Sequence, residues 1–177
     1  SWRLDGQLHA KSEEILRAIL DATPFPIALV DFQDDLIKFW SRSALELFGH
    51  TAPTAREWYE IAYPDSDYRS EVVEHWKVFL EKAKRSSPQA VNTGEYRISC
   101  RNGTVRICEL YATFISDSLI VTFNDITGRK QAEDSLRESE ERLRLSLEAA
   151  NQGIYDLNVQ TGETHVSSGY ATMLGYD

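Results

Sequence analysis

Two cysteines, one methionine and five prolines are all that 177 residues hold of those types, and neither a basic run nor a long apolar run occurs. Each scarcity removes a class of function. Two cysteines cannot build a disulfide framework, and the four histidines, His9, His50, His75 and His165, lack the spacing of a metal site. Nineteen basic against 28 acidic residues leave a net charge of −9, spread along the chain, which argues against a nucleic-acid or anionic-membrane surface. No stretch approaches the roughly 18 apolar residues of a spanning helix. The first residues, SWRLDGQLHAK, also lack the apolar segment of a secretory signal, so direct membrane contact is not expected of this segment. No nucleophile elbow, phosphate-cradling glycine loop or His-Glu metal motif is present, so no catalytic residue and no metal ligand are assigned.

What is there is globular: 42% apolar residues and 11% aromatic ones, with four tryptophans. Ser12 is placed to cap a helix in which Ile15, Leu16, Ile19 and Leu20 recur at helical spacing, ended by Pro24 and Pro26. IALVDF and LIKFW around Asp34-Asp35 read as a hairpin, and RSALELFGH as a short helix stopped by Gly49. REWYEIA reads as another short helix. Residues 70–85 form an amphipathic helix with Val72, Trp76, Phe79, Leu80 and Ala83 on its apolar face. Three strands follow, near 93–100, 105–115 and 118–124. This order predicts an α+β fold, a five-stranded antiparallel sheet with helices packed on one face. If Asn102-Gly103 forms a two-residue turn, Cys100 and Cys108 fall on opposite faces of the ribbon. They then read as free thiols that fill space in a reducing cytoplasm.

Past Asn124 the composition turns strongly helical, and Leu136, Leu143 and Ala150 share one heptad position while Ala132, Ser139 and Ser146 share the other. This thin seam predicts a connecting rod that pairs with a second copy. The rod runs into SEERLRLSLEAANQGI (139–154), which matches SEEILRAILDATPFPI (12–27) at eight of sixteen positions, an offset of 127. A period that long implies two copies of a domain rather than a solenoid.

Three stretches resemble the PAS domain family of sensor proteins. They are KFWSRSALELFG, the hairpin YRISCRNGTVRICELYATF, and FNDITGRKQAEDSLRESEERLR, which is similar to that family's junction between successive PAS units. The resemblance divides the chain into a lead-in (1–11), a PAS domain (12–128), a helical linker (129–150) and the start of a second, truncated PAS domain (151–177). The family's usual Asn after the second strand is Ser41 here, and the Asp of its Asp-Gly turn is Asn102. The resemblance implies a cytoplasmic sensory module of a bacterial signalling protein, joined to a histidine kinase or diguanylate cyclase output domain. It implies a small molecule held between sheet and helices, which in this family can be flavin, haem, an organic acid or nothing.

Adduct-forming flavin chemistry needs a cysteine in the helical segment, where there is none, and His75 is the candidate for haem. Leu29, Trp40, Phe48, Trp58, Trp76, Phe79, Tyr96, Ile98 and Phe114 are the candidates for the pocket, with Arg69, Arg97 and Ser99 as polar contacts. The aromatics among them read equally well as core. Asp125, Ile126, Thr127 and Arg129 are expected to relay a signal from sheet to rod, with Thr127 capping the helix and Arg129 pairing with Asp125. The competing expectation is a ligand-free module that only pairs two chains.

Overall fold

The structure, a computed structural model, describes residues 2–31, 33–83, 90–115, 117–149 and 155–166. Its contacts divide the chain between Gly128 and Arg129 into two units. In the first, α1 (Trp2–Ala22) leads to β1 (Ile27–Asp31), β2 (Leu36–Trp40), α2 (Arg42–Phe48), α3 (Ala55–Ala62) and α4 (Ser66–Ala83). The strands β3 (Val91–Ser99), β4 (Val105–Ile115) and β5 (Ser118–Asp125) complete it. The five strands form one antiparallel sheet in the order β2-β1-β5-β4-β3. The fold is the expected α+β arrangement.

Alternation along the strands explains which face carries the core. Tyr96 and Ile98 of β3, Cys108, Leu110 and Ala112 of β4, and Leu119, Val121 and Phe123 of β5 are buried at every second position. Against that face lie Ala44 and Phe48 of α2, Trp58 and Ala62 of α3, and Val72 and Trp76 of α4. Two caps set the geometry of α2. Ser41 accepts hydrogen bonds from the Ala44 N–H at its start and from the Ile27 N–H of β1 at 2.9 Å, so one buried hydroxyl ties a helix to a strand. At the other end Gly49 takes a left-handed φ of 74°, and a Cβ there would lie 3.0 Å from the Arg101 Cβ.

Two expectations are corrected. The first helix begins at Trp2, so Ser12 lies inside it and caps nothing. The ten residues before Ser12 and after Ser1 contain no proline and a single glycine, Gly6, whose cost of about 1 kcal/mol does not stop a helix of 21 residues. The second correction concerns the turn after β3. Ser99 pairs with Val105, the Gly103 N–H donates to the Cys100 carbonyl, and Gly103 has φ 83°. That is a type I turn with a left-handed glycine bulge, one residue longer than the two-residue turn expected. The register therefore slips by one, Cys108 faces Tyr96, and both cysteines are free on the same buried side. Four strand residues separate Cys100 from Tyr96, about 13 Å of rise, so a disulfide to Cys108 is out of reach.

In the second unit α5 (Thr127–Ala149), whose first residues close the first unit, runs on as an exposed charged helix. Arg144 bridges Glu141 and Glu148, and Arg137 bridges Asp134. A hairpin of β6 (Tyr155–Leu157) and β7 (Thr164–Val166) follows. Shifted by 127, β1 and β2 span 154–158 and 163–167, and β6 and β7 fall inside those spans. Ala150 of the heptad seam lies outside the described residues.

Candidate ligand cavity and its junction with the helix

A cavity of about 200 Å³ lies between the sheet and the helices. Ala28 and Val30 of β1, Ile37 and Trp40 of β2, and Leu119, Val121 and Phe123 of β5 form its floor, with Leu110 of β4 beside them. Its roof is Trp58 and Tyr59 of α3, then Tyr63, then Val73, Trp76, Lys77 and Leu80 on one face of α4. The walls are aromatic and rigidly held. Trp40 donates its indole N–H to the Ala52 carbonyl at 2.8 Å, and its ring centroid is 4.6 Å from that of Trp58. A shallower, charged depression with Arg56, Glu60, Arg69 and Glu74 shares Asp35, Tyr59, Val73 and Lys77 with the cavity and forms its mouth.

Of the nine pocket candidates, Trp40, Trp58 and Trp76 line this cavity. The other six are placed elsewhere. Leu29 points to the opposite face of β1 from Ala28 and Val30, because side chains alternate. Phe48 is sealed behind the wall, edge-on to Trp58 and Phe123 at 5.3 and 5.2 Å. Tyr96 and Ile98 lie on β3, at the edge of the sheet away from β1 and β2, where Tyr96 stacks on the outer side of Trp76 and donates to the Thr93 carbonyl. Phe79 abuts Trp76, and Phe114 is partly buried against the core. Of the polar candidates, Arg69 donates to the carbonyls of Tyr63 and Pro64, and Arg97 lies 4.5 Å over the Tyr68 ring, where it fastens α4 to β3. The sequence reading missed Tyr59 and Tyr63. Their signal was two tyrosines four apart, Tyr59 on the last turns of α3 and Tyr63 at its C-cap.

The group chemistry of the cavity is distinctive. Burial holds the phenols of Tyr59 and Tyr63 well above the ordinary range, so both stay protonated. Asp31 is held below the usual carboxylate range by its hydrogen bond and ion pair with Lys38 and by the Gln33 N–H. His75 is exposed beside Tyr96, and neither it nor either cysteine lines the cavity. These residues do not fit a ligated haem or a flavin adduct. Among the described residues no cluster of His, Cys, Asp or Glu could hold a metal ion.

At the end of β5 the chain passes from sheet to helix through a dense set of bonds. Asp125 accepts from the N–H and the hydroxyl of Thr127 and pairs with Arg106 of β4 at 3.3 Å. The Thr127 hydroxyl accepts from the Ile107 N–H at 2.9 Å, and the Ile126 N–H donates to the Ile107 carbonyl. The side chain that holds the helix start is thus Asp125, while Thr127 uses its hydroxyl to grip β4. Arg129 meets Glu133 one turn on rather than Asp125, whose cationic partner is Arg106. Among the described residues no helix is long and apolar enough to cross a membrane.

Comparison with known proteins agrees with this architecture. The family model described as PAS domain matches residues 14–84. A hybrid signal transduction histidine kinase A of Dictyostelium discoideum is 44% identical over 50 residues, 28% of this chain and 2% of that protein. An RNA-binding Light-Oxygen-Voltage receptor superposes with a TM-score of 0.55 at 16% identity, over 78% of this chain and 39% of the receptor. The N-terminal domain of a diguanylate cyclase with PAS/PAC sensor from Marinobacter aquaeolei reaches a TM-score of 0.48 at 12% identity, over 60% of this chain and 98% of that domain. Residues 14–84 therefore match the PAS domain family, and the five-stranded antiparallel sheet that closes at Asp125 gives the unit a PAS-like fold.

Proposed function

We propose that this chain is a sensory input region of a signal-transduction protein, in which the cavity binds a small molecule and β5 passes the change to α5. One observation carries the reading. Leu119, Val121 and Phe123 line the cavity on the same strand whose last residue, Asp125, holds the start of the helix. A ligand that prefers one of two arrangements of β5 shifts their populations by its difference in affinity. Ile126 and Thr127, buried and bonded to β4, transmit the shift as a change in the direction or rotation of α5. The β6–β7 hairpin then begins a second PAS copy. The output module of the parent is a histidine kinase or diguanylate cyclase acting in the cytoplasm, and the kinase is the assignment supported by the histidine kinase that 28% of this chain resembles. The chain itself acts as a sensor and not as a catalyst.

The test is to denature natively purified protein, identify released small molecules by mass spectrometry, and compare amide exchange at 124–135 with and without them. A stoichiometric molecule that slows or speeds exchange there supports the reading. A molecule bound with no change in exchange removes the relay.

A second reading has its own observation. Ile15, Leu16 and Ile19 on α1, and Leu136 and Leu143 on α5, are each more than half exposed, which suits helices that pair with a second copy of the chain. Sedimentation measures it. A dimer that loses self-association on Leu136→Asp, binds no ligand and shows no exchange change would make the domain a pairing module alone.

A further inference from the structure

Size, wall chemistry and two phenols together define what the cavity takes. We propose that its ligand is an uncharged, single-ring aromatic compound bearing one hydrogen-bond-accepting oxygen, received by Tyr59 and Tyr63. This rests on the ligand-binding reading above and narrows it.

Volume sets the first limit. An apolar cavity of about 150 Å³ is filled by benzene. The cavity here, at about 200 Å³, therefore has room for one ring with a short substituent. The walls set the second. Trp40, Trp58, Trp76 and Phe123 present ring faces and edges, the surroundings in which an aromatic guest gains edge-to-face and offset contacts beyond area burial.

Polarity sets the third limit. Tyr59 and Tyr63 both line the cavity, four residues apart, with ring centroids 6.0 Å apart. Both phenols remain protonated and so act as donors throughout the physiological range. A phenol that lines a cavity loses its water when an apolar guest enters, and an accepting oxygen on the ligand replaces that hydrogen bond. Charge sets the last. Asp31 is already satisfied by Lys38 and the Gln33 N–H, while Asp35 and Lys77 are exposed at the mouth, with Glu74 beside Lys77. An ionised ligand would lose its hydration and meet no unpaired buried counter-charge.

The experiment is calorimetric titration of the full chain with four probes: acetophenone, ethylbenzene, benzoate and hexanoate. The same titrations are run on Tyr59→Phe and Tyr63→Phe, which remove only an oxygen atom. Acetophenone is expected to bind about tenfold more tightly than ethylbenzene, and more tightly than benzoate or hexanoate. Each variant should lose about threefold to tenfold in acetophenone affinity and stay within about twofold for ethylbenzene, which also shows that it is folded. Benzoate or hexanoate binding more tightly than acetophenone overturns the inference and leaves the ligand-binding reading standing. Unchanged acetophenone affinity in both variants does the same. If none of the four binds at millimolar concentration the inference is overturned, and the broader reading falls with it only if no molecule is released from the native protein.

Discussion

The chain contains two hairpins 127 residues apart, β1–β2 and β6–β7, and they have opposite fates. Ile27 and Ala28 of the first are 8% and 2% exposed, whereas Leu157 and Val166 of the second are 49% and 55% exposed. Neither hairpin buries its own apolar residues. Those of β1 are buried because β5 pairs along its other edge and the helices of the first unit cover its face. Among the described residues β6 pairs only with β7. A two-stranded ribbon is marginal in water until further strands or helices join it, so burial belongs to the partners and not to the hairpin.

Substitutions can break or sharpen that contrast. The largest effect is expected from Phe48→Ala, because the ring is fully buried between Trp58 and Phe123. It should cost about 3–5 kcal/mol, read as a lower denaturant midpoint. Gly49→Ala should cost about 1–3 kcal/mol in the same assay, since the new Cβ meets a left-handed φ and the Arg101 Cβ at 3.0 Å. Ser41→Ala removes the cap of α2 and the acceptor for Ile27, for about 1–2 kcal/mol, and Ser41→Thr should recover part of it.

A smaller effect should come from His50. Burial, with Arg101 adding and the Ser99 backbone opposing, holds its imidazole below the ordinary value of 6.5. The unfolded chain thus takes a proton at higher pH than the folded one. The stability this contributes is full above about 6.5 and is lost as pH falls through the lowered folded value. Melting temperature should drop between pH 7.5 and 5, and drop less in His50→Gln. The smallest change belongs to the second hairpin. Leu157→Ala should stay within about 0.5 kcal/mol, and a loss as large as that of Phe48→Ala would mean the second hairpin has a core of its own.

The element order was legible because each segment announced itself locally. Gly49 stopped α2 where a left-handed residue was needed, and alternation in β4 and β5 marked the buried face. The cavity was less legible. The three tryptophans that line it are conspicuous by size, but size also singled out Phe48 and Tyr96, which fill core around it. Leu29 was a candidate, but strand parity turns Ala28 and Val30 to the cavity instead. The junction showed the same division: Asp125 and Thr127 were visible as a motif, but the partner Arg106 comes from a neighbouring strand nineteen residues earlier.

What the amino-acid sequence determined by itself was local and periodic: the order of the helices and strands, the alternation that marks the buried face, and the 127-residue repeat. Tertiary structure alone decided the β3–β4 register, which a single extra turn residue slips. It also decided the side of the sheet on which the cavity opens and the pairing of Tyr59 with Tyr63 beneath α4. Propensity and periodicity act over a few residues, whereas a cavity is the space left between elements that pair across distant parts of the chain, as Ile27 does with Thr122.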